Sequence, residues 1–434
     1  MRRLPSDQAS PVFFLEDRED LVVSRSGEAP AAVTRSRRRG LALRAGGRLL
    51  HLADPSPGDV GRLVPGLQAP SGRDAGSKGR SADDQTAVPS RIPESLWLAC
   101  LDELLREVRR AIPPATSMAR AVVFEQQVLL MQRDGTPVHE RRRAARVRLD
   151  CDPRGGVVAT VSGEAVLAGD PARDEPRLRD LAHRVARRAE ERLAARDHPG
   201  GELPVVLAAG AGGILVHELI GHALEADTVQ RGDSWLARAD GAGIWTGPEA
   251  LTVIDDPRRG RASWRIDDEG EASRPVPLLR SGRVAGLLHD GSTAGVSGSA
   301  PTGHGRCSSY REPVRPRMGC TFIAPGRLAP EEVIEGIRNG VYVRRMEAGH
   351  TDTRSGTASF RVTDSDRIRD GRIEAPLTPH LLRVDGGSML STVERVADDL
   401  VFDRCIGGCH RDGQPLAISV GAPTICIGVA RVQV

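Results

Sequence analysis

The chain has 434 residues, with 61 basic and 58 acidic side chains and a formal net charge of +3. This length accommodates two to three domains and a substantial buried core. No apolar run approaches the roughly 18 residues of a membrane-spanning helix, and the interleaved charges argue against a nucleic-acid-binding surface.

The sequence also argues against export from the cell and against disulfide bonds. Residues 1–20 contain no apolar stretch long enough for a signal peptide. Seven cysteines in a chain without an export signal are more typical of free thiols or metal ligands than of a disulfide framework. We therefore expect a soluble cytoplasmic protein with no membrane or nucleic-acid partner.

The first part of the chain predicts an antiparallel sheet followed by a helix. Residues 12–54 alternate apolar and polar side chains in short runs, as strands do. Residues 69–93 have almost nothing to bury and predict a mobile linker or loop. Leucines and a valine recur at helical spacing over residues 94–112, which predicts an amphipathic helix.

Strands are predicted again over residues 119–135 and 145–166, before an amphipathic helix over 177–196. A short buried strand over 202–210 then leads into a glycine-rich turn.

From residue 250 onward, short β-like runs alternate with Gly, Asp and Pro. One helix is predicted among them over residues 329–340, with Pro330 at its start. The pattern predicts an α+β fold, in which residues 1–200 form an N-terminal α/β domain with an antiparallel sheet and helices. Residues 201–434 are predicted to form a β-rich, barrel-like C-terminal domain.

The stretch LVHELIGHALEAD (215–227) carries two histidines and a glutamate in the order of a zinc peptidase, with one residue too many. The familiar helical motif is H-E-x-x-H, whereas His217, Glu218 and His222 have the spacing H-E-x-x-x-H. On a regular helix His217 and His222 lie about 140° apart. A shared metal therefore requires a distortion, either from Gly221 or from a π-bulge.

Two other interpretations of this stretch stay open on the residues alone. On a straight helix Glu218, His222 and Glu225 share a carboxylate-rich face. Alternatively, the histidines merely flank a core helix whose leucines are buried. Burying so many polar side chains in one turn without a ligand is costly, which favours a site.

A zinc site needs a third protein ligand. The segment DRCIGGCHRDGQ (403–414) offers Cys405 and Cys409, with His410 beside them. Three other cysteines, in helix or strand contexts, are expected to be small buried side chains, and they are Cys100, Cys151 and Cys426. Cys307 and Cys320 remain undecided.

The stretch VVLAAGAGGILVHELIGHALEAD resembles the signature of the TldD/PmbA metallopeptidases. The resemblance continues in order through IDDEG, PTGHGR, REPVRPRM, TFIAPG, EEVIEGIRNGVYV and GGCHRDGQPLAISVGAPT, and it covers residues 120 to 434. It implies that His217, His222 and Cys409 bind one zinc ion per catalytic subunit and that Glu218 is the general base. The family's non-catalytic paralogue lacks the H-E-x-x-x-H residues, so this chain resembles the catalytic, TldD-like member.

The resemblance also implies a substrate and a partner. The substrate is an extended peptide, either an unfolded chain that is degraded or a precursor whose leader is trimmed, held in a cleft between subunits. The partner is a paralogous TldE/PmbA-like subunit in a heterodimer, or a second copy in a homodimer. Five side chains are candidates for contacting the substrate, namely His304, Tyr310, Arg311, Arg315 and Arg317.

The chain departs from the family pattern in three places. Its N-terminal domain is expected to lack a helix and strand that usually come first in the family. His410 occupies a position that is commonly glycine and is a potential competitor for the metal. His304 stands where the family often has asparagine.

Two other functions are alternatives on the sequence alone. The chain could be a non-catalytic scaffold subunit that binds peptide, although the intact His217, Glu218 and His222 argue against this. The turn after the strand over 202–210 also suggests a dinucleotide loop, but Gly210, Gly212 and Gly213 do not match the G-x-G-x-x-G spacing.

Overall fold

The computed structural model describes residues 12–27, 29–45, 48–55, 94–131, 136–153, 160–167, 171–197, 200–238, 240–393, 395–402 and 408–433. The linker predicted over 69–93 lies outside these described residues. The structure is 20% helical and mostly sheet, which confirms the predicted α+β class. Among the described residues, no helix combines the length and the apolar character that crossing a membrane requires.

The N-terminal part is an antiparallel sheet with two helices. Its elements are β1 (Val12–Ser26), β2 (Ala32–Ala45), β3 (Arg48–Ala53), α1 (Glu94–Ala111), β4 (Thr116–Met131), β5 (Pro137–Asp152), β6 (Val161–Leu167) and α2 (Glu175–Arg192). The six strands follow the order β3-β2-β1-β4-β5-β6. The sheet predicted over 12–54 and the helix predicted over 94–112 are confirmed.

The two faces of this sheet have different surroundings because successive side chains of a strand point to opposite faces. In β5, Val147 and Leu149 are buried in a core shared with Trp97 of α1. Arg146 and Arg148 therefore point to the other face, toward the C-terminal part of the chain. This alternation places a charged row of β5 next to the site described below.

The C-terminal part contains seventeen strands among the described residues. They are β7 (Gly201–Leu207), β8 (Val253–Asp255), β9 (Val276–Arg280), β10 (Arg283–Val284), β11 (Gly305–Arg306), β12 (Arg315–Pro316), β13 (Cys320–Ile323), β14 (Asn339–Asp352), β15 (Thr357–Arg369), β16 (Arg372–Pro376), β17 (His380–Asp385), β18 (Arg395–Val396), β19 (Val401–Phe402), β20 (Gly408–Arg411), β21 (Gln414–Ala417), β22 (Ser419–Ala422) and β23 (Ile425–Gln433).

Five of these strands close into a barrel. The ring runs β14-β7-β23-β17-β15 and is completed by pairing between β14 and β15. A second sheet has the order β10-β9-β8-β13-β22-β19. The main apolar core includes side chains of both sheets. The barrel-like C-terminal part predicted from the sequence is therefore confirmed.

The C-terminal helices are short. They are α3 (Gly212–Val216), α4 (Ala226–Gln230), α5 (Gly291–Ser297), α6 (Pro330–Ile334) and α7 (Gly386–Leu390). The helix predicted over 329–340 is wrong in its length. It begins at Pro330 as predicted, but Gly336 adopts a φ of +79° and the chain enters β14 at Asn339. A left-handed backbone at glycine ends a helix.

The N-terminal sheet contacts the C-terminal part through buried polar groups. Arg142 of β5 pairs with the carboxylate of Asp268 and donates to the carbonyl of Ile266 at 2.9 Å. The backbone amide of Tyr310 donates to the buried carboxylate of Glu16 at 2.9 Å. The division of the chain at residue 200 remains a prediction, and that position lies between α2 and β7.

Candidate metal centre

The histidine segment is held between the two C-terminal sheets by α3. This helix follows β7, and all five of its residues are buried. Gly213 packs against β22, where an added Cβ would lie only 2.7 Å from the amide nitrogen of Gly421. The glycine therefore allows the helix to approach the sheet closely, and this contact positions the residues that follow.

Directly after α3, residues His217–Gly221 form a π-helical turn. The backbone amide of His222 donates to the carbonyl of His217, which is the i→i+5 bond of a π-bulge. The two imidazole rings consequently lie with their centroids 4.9 Å apart at an interplanar angle of 77°. The π-bulge hypothesis drawn from the H-E-x-x-x-H spacing is confirmed.

Gly221 does not adopt unusual torsions, so of the two alternatives for the distortion the structure shows the π-bulge. Its φ and ψ are −56° and −58°, which are helical values. Packing accounts for the glycine instead, because an added Cβ would overlap the sulfur of the buried Met318 unless that side chain shifts.

The third donor comes from near the other end of the chain. Cys409 lies on β20, and its Sγ is 3.4 Å from Nε2 of His222. The donor atoms of His217, His222 and Cys409 all lie within 4.8 Å of one another. His217 and Cys409 are buried, whereas the side chain of His222 is 13% exposed.

The neighbours of Cys409 in sequence do not join this group. His410 follows Cys409 on the same strand, so its side chain points the opposite way, where it is exposed. Cys405 lies outside the described residues. The remaining cysteines are half-buried or buried elsewhere, and they are Cys100, Cys151, Cys307, Cys320 and Cys426.

The electrostatics of the three side chains favour a thiolate. Burial raises the pKa of the Cys409 thiol, but the charge on His222 and hydrogen bonds from His217 and His222 outweigh it and hold that pKa well below its ordinary range. Burial lowers the pKa of His222, yet the charges of Cys409 and Glu225 raise it well above the usual value. A thiolate is the form of cysteine that binds metals.

A second layer of charged side chains orients the donors. Nδ1 of His222 lies 3.0 Å from the carboxylate of Glu225, and Arg411 in turn donates to that carboxylate at 2.5 Å. Arg317 donates to Sγ of Cys409 at 3.2 Å and to its carbonyl at 3.0 Å. The ring of His222 and the sulfur of Cys409 are thus each held by a buried, charged partner, as metal ligands commonly are.

Glu218 faces a cavity beside these donors. The hydroxyl of Thr351 donates to Oε2 of Glu218 at 2.9 Å and fixes its carboxylate. The cavity has a volume of about 240 Å³. Its walls are formed by Arg146, Arg148, Ile214, His217, Glu218, Arg345, Met346, Glu347, Ala348, Gly408, Cys409 and Ile418.

None of the five side chains expected to contact substrate lines this cavity, and their role in binding substrate stays a prediction. His304 and Tyr310 are fully buried. His304 pairs with Asp255 at 3.1 Å, and the Tyr310 ring packs against Gly40 of the N-terminal sheet.

The three arginines of this group also have structural partners. Arg311 donates to the hydroxyl of Tyr310 at 2.8 Å, and Arg315 lies 3.3 Å from the carboxylate of Asp412. Arg317 is buried behind Cys409.

Sequence reasoning missed several residues of the site. Thr351 gave no signal, because nothing in its neighbourhood is distinctive. Arg411 lies next to His410 in the segment that supplies Cys409, and a basic residue so close to a ligand was the available hint. Arg146, Arg148 and Arg345 lie within long strands and were not considered.

Comparison with known proteins places the chain in a family. Residues 200–434 match the PmbA/TldA metallopeptidase C-terminal domain. The chain is 35% identical to a metalloprotease of Methanothermobacter thermautotrophicus over 59% of its own length and 55% of the relative. It is 30% identical to the zinc metalloprotease TldD homolog of Saccharolobus solfataricus over 56% of its own length and 54% of that relative. It spans about half the length of the curated relatives it matches.

Solved structures share the fold across almost the whole chain. A putative modulator of a DNA gyrase from Thermotoga maritima aligns with a TM-score of 0.72 and 18% identity, covering 97% of this chain and 95% of that one. TldE from Thermococcus kodakarensis aligns with a TM-score of 0.70 and 16% identity, covering 97% and 96%. With the family domain extending over residues 200–434, the chain belongs to the PmbA/TldD metallopeptidase family.

Proposed function

We propose that this chain is a zinc-dependent peptidase that hydrolyses peptide bonds in unfolded or precursor peptides. The observation that carries the proposal is the convergence of His217, His222 and Cys409, with Glu218 in the cavity that His217 and Cys409 also line. Two imidazoles and a thiolate form a donor set that suits zinc, and three protein ligands leave a coordination position open, as catalytic zinc sites do.

The side chains fit a bound cation on independent grounds. Nδ1 of His217 is buried and has no hydrogen-bond partner among the described residues, an arrangement that is costly unless a ligand or water completes it. The lowered pKa of the Cys409 thiol keeps that ligand in its binding form. Zinc, when bound, supplies a Lewis acid that polarises a carbonyl and increases the acidity of water.

The remaining chemistry belongs to the chain's own residues. Glu218 accepts the proton of the attacking water and delivers it to the leaving amine, as a general base and then a general acid. Thr351 holds one oxygen of that carboxylate and leaves the other for the water. Glu225 fixes the ring of His222, and Arg317 stabilises the thiolate of Cys409.

The family and the shape of the site support a proposal for the substrate and the partner. A cavity of about 240 Å³ is far too small for a folded domain, which supports an extended chain as substrate. We propose that the chain is the catalytic, TldD-like subunit and that it works in the cytoplasm with a paralogous TldE/PmbA-like subunit or a second copy of itself. Co-purification from the native host tests the partner.

Elemental analysis combined with peptide hydrolysis tests the chemistry. We expect about one zinc ion per chain, retained but inactive in Glu218→Gln and lost in Cys409→Ala. Arg354→Gln is the matched control, since Arg354 is 75% exposed and lies on the surface. A purified protein without metal, whose peptide binding is unchanged in His217→Ala, would instead support the scaffold function.

A further inference from the structure

The cavity beside the metal centre has a cationic wall that the proposed hydrolysis does not use. Arg146 and Arg148 extend from β5 of the N-terminal sheet, and Arg345 extends from β14 of the barrel. Two parts of the chain that are far apart in sequence thus bring three guanidinium groups to one wall.

A buried carboxylate holds these arginines in place. The side chain of Glu164 on β6 is 2% exposed and pairs with Arg146. Its Oε1 also lies 3.2 Å from Arg345 and 3.7 Å from Arg148. A guanidinium has five N–H donors, so the pairing of Arg146 with Glu164 leaves N–H groups of Arg146 that a molecule in the cavity can reach.

Further carboxylates pair with the arginines of this wall, and two of these arginines stay partly exposed. Glu347 pairs with Arg148, Arg345 and Arg361 at 3.4, 3.6 and 2.7 Å. Asp150 pairs with Arg148 at 2.9 Å. Together with Glu164, these carboxylates match the charges of Arg146, Arg148 and Arg345, and Arg361 adds a positive charge outside the cavity. The side chains of Arg146 and Arg148 are 37% and 32% exposed, so a ligand reaches them from the cavity.

We propose that Arg146, Arg148 and Arg345 form a carboxylate-binding subsite. Peptides with a carboxylate close to the scissile bond are then preferred, whether it is an Asp or Glu side chain or the α-carboxylate of the chain end. A planar guanidinium donates two parallel hydrogen bonds to a carboxylate. A peptide with a lysine or amide side chain at the same position does not offer the two acceptor oxygens that this pairing needs. The inference rests on the proposed peptidase function.

The test compares matched peptides within one enzyme preparation. The enzyme is the full chain loaded with zinc, together with its partner subunit where one co-purifies. The first pair of peptides is identical except that one has Glu and the other Gln near the cleaved bond. A second pair differs only in a free against an amidated C-terminus. We expect kcat/KM about ten- to hundredfold higher for the carboxylate member of one pair, the range of a charged hydrogen bond. The pair that shows the preference identifies the source of the carboxylate.

Variants of the arginines test whether the preference for a carboxylate arises from this wall of the cavity. Arg146→Gln and Arg148→Gln should bring the ratio of the two kcat/KM values toward one. The ratio does not depend on how much of a preparation is folded. Arg361→Gln is the matched control, because Arg361 joins the same network from outside the cavity and is 61% exposed. A preference that survives in both Arg146→Gln and Arg148→Gln overturns the inference.

A binding measurement separates this inference from the proposed function. Fluorescence anisotropy with Glu218→Gln reports peptide affinity without turnover. If the wild-type chain hydrolyses both members of each pair equally, the subsite is wrong and the peptidase function stands. If no peptide is hydrolysed but the carboxylate member binds more tightly, and Arg146→Gln abolishes that difference, the subsite stands and the peptidase function fails.

Discussion

The contacts of His222 show how individual residues orient the side chains of the candidate metal centre. Its Nε2 faces the sulfur of Cys409, and its Nδ1 faces the carboxylate of Glu225. Glu225 is fully buried, and its charge is balanced by Arg411. A carboxylate behind a ligand histidine fixes the ring and increases its basicity, so under the proposed function Glu225 would act on a bound metal through His222.

Glu225→Gln should weaken zinc binding about ten- to hundredfold, because the amide removes the charge that orients His222. Competition with a chelator of known affinity measures the change. Asp412→Asn is the control, since Asp412 is 50% exposed and should leave zinc affinity unchanged. Equal zinc affinities for Glu225→Gln and wild type would show that the carboxylate has no such role.

Cys409 should be a thiolate in the metal-free protein at neutral pH, because its pKa is well below the ordinary value. A lowered thiol pKa means that the proton is lost at a lower pH than in a free cysteine, whose pKa is about 8.5. The thiolate absorbance of wild type minus Cys409→Ser, followed from acid to alkaline pH, measures it. A difference that develops only above about pH 8 contradicts the prediction.

At the scale of secondary-structure elements, the candidate metal centre depends on one irregular helical turn. A regular helix separates residues five apart by about 140°, and the π-turn His217–Gly221 removes that separation. The turn is held in place by packing on both sides, with Gly213 against β22 and Gly221 against Met318. Close contacts at glycine thus fix the backbone on which both histidines depend.

Gly221→Ala should destabilise the protein by about 1–3 kcal/mol, because the added methyl group overpacks the space that Met318 fills. Denaturant unfolding measures the loss. Gly295→Ala is the control, since Gly295 lies in α5 with nothing within 4 Å of its Cβ position, and alanine favours a helix by about 0.5–1 kcal/mol. Gly221→Ala with wild-type stability would mean that the contact with Met318 relaxes at no cost.

At the scale of the whole molecule, Asp268 connects the N-terminal sheet to the C-terminal part. Burial raises the pKa of this carboxyl, but Arg142 and Arg306 outweigh burial and lower it below the ordinary range. The same sheet that carries Arg142 also carries Arg146 and Arg148 in the cavity. Holding the two parts together therefore also completes the site.

Asp268→Asn should cost about 3–5 kcal/mol at pH 7, since it leaves two buried arginines without their carboxylate. The pKa of Asp268 is lowered in the folded state, so its stabilising effect is present above the unfolded value of about 3.9 and is lost as the pH falls toward the folded value. The difference between variant and wild type should therefore shrink below about pH 4.

Chemical unfolding at pH 7 and in acid measures this pH dependence. Asp17→Asn is the surface control, because the side chain of its partner Arg37 is 55% exposed, and exposed ion pairs contribute about 0–1 kcal/mol. A pH-independent difference for Asp268→Asn would show that the carboxyl keeps its ordinary pKa.

The sequence by itself determined the α+β class, the barrel-like C-terminal part, and the need for a distorted turn between His217 and His222. These inferences depend on local spacing, which is encoded by neighbouring residues. The resemblance to a family added Cys409. The helix predicted over 329–340 failed because the pattern of apolar residues did not reveal where the backbone turns left-handed at Gly336.

Only the tertiary structure decided which distant residues meet. Thr351 reaches Glu218 across 133 positions, and Cys409 reaches His222 across 187. Arg146 and Arg148 gave no signal of a site in the sequence, whereas Tyr310 and His304 were candidates for contacting the substrate and lie buried away from the cavity. Side-chain periodicity fixes the face to which a residue belongs, but the packing of sheet against barrel decides what that face contacts.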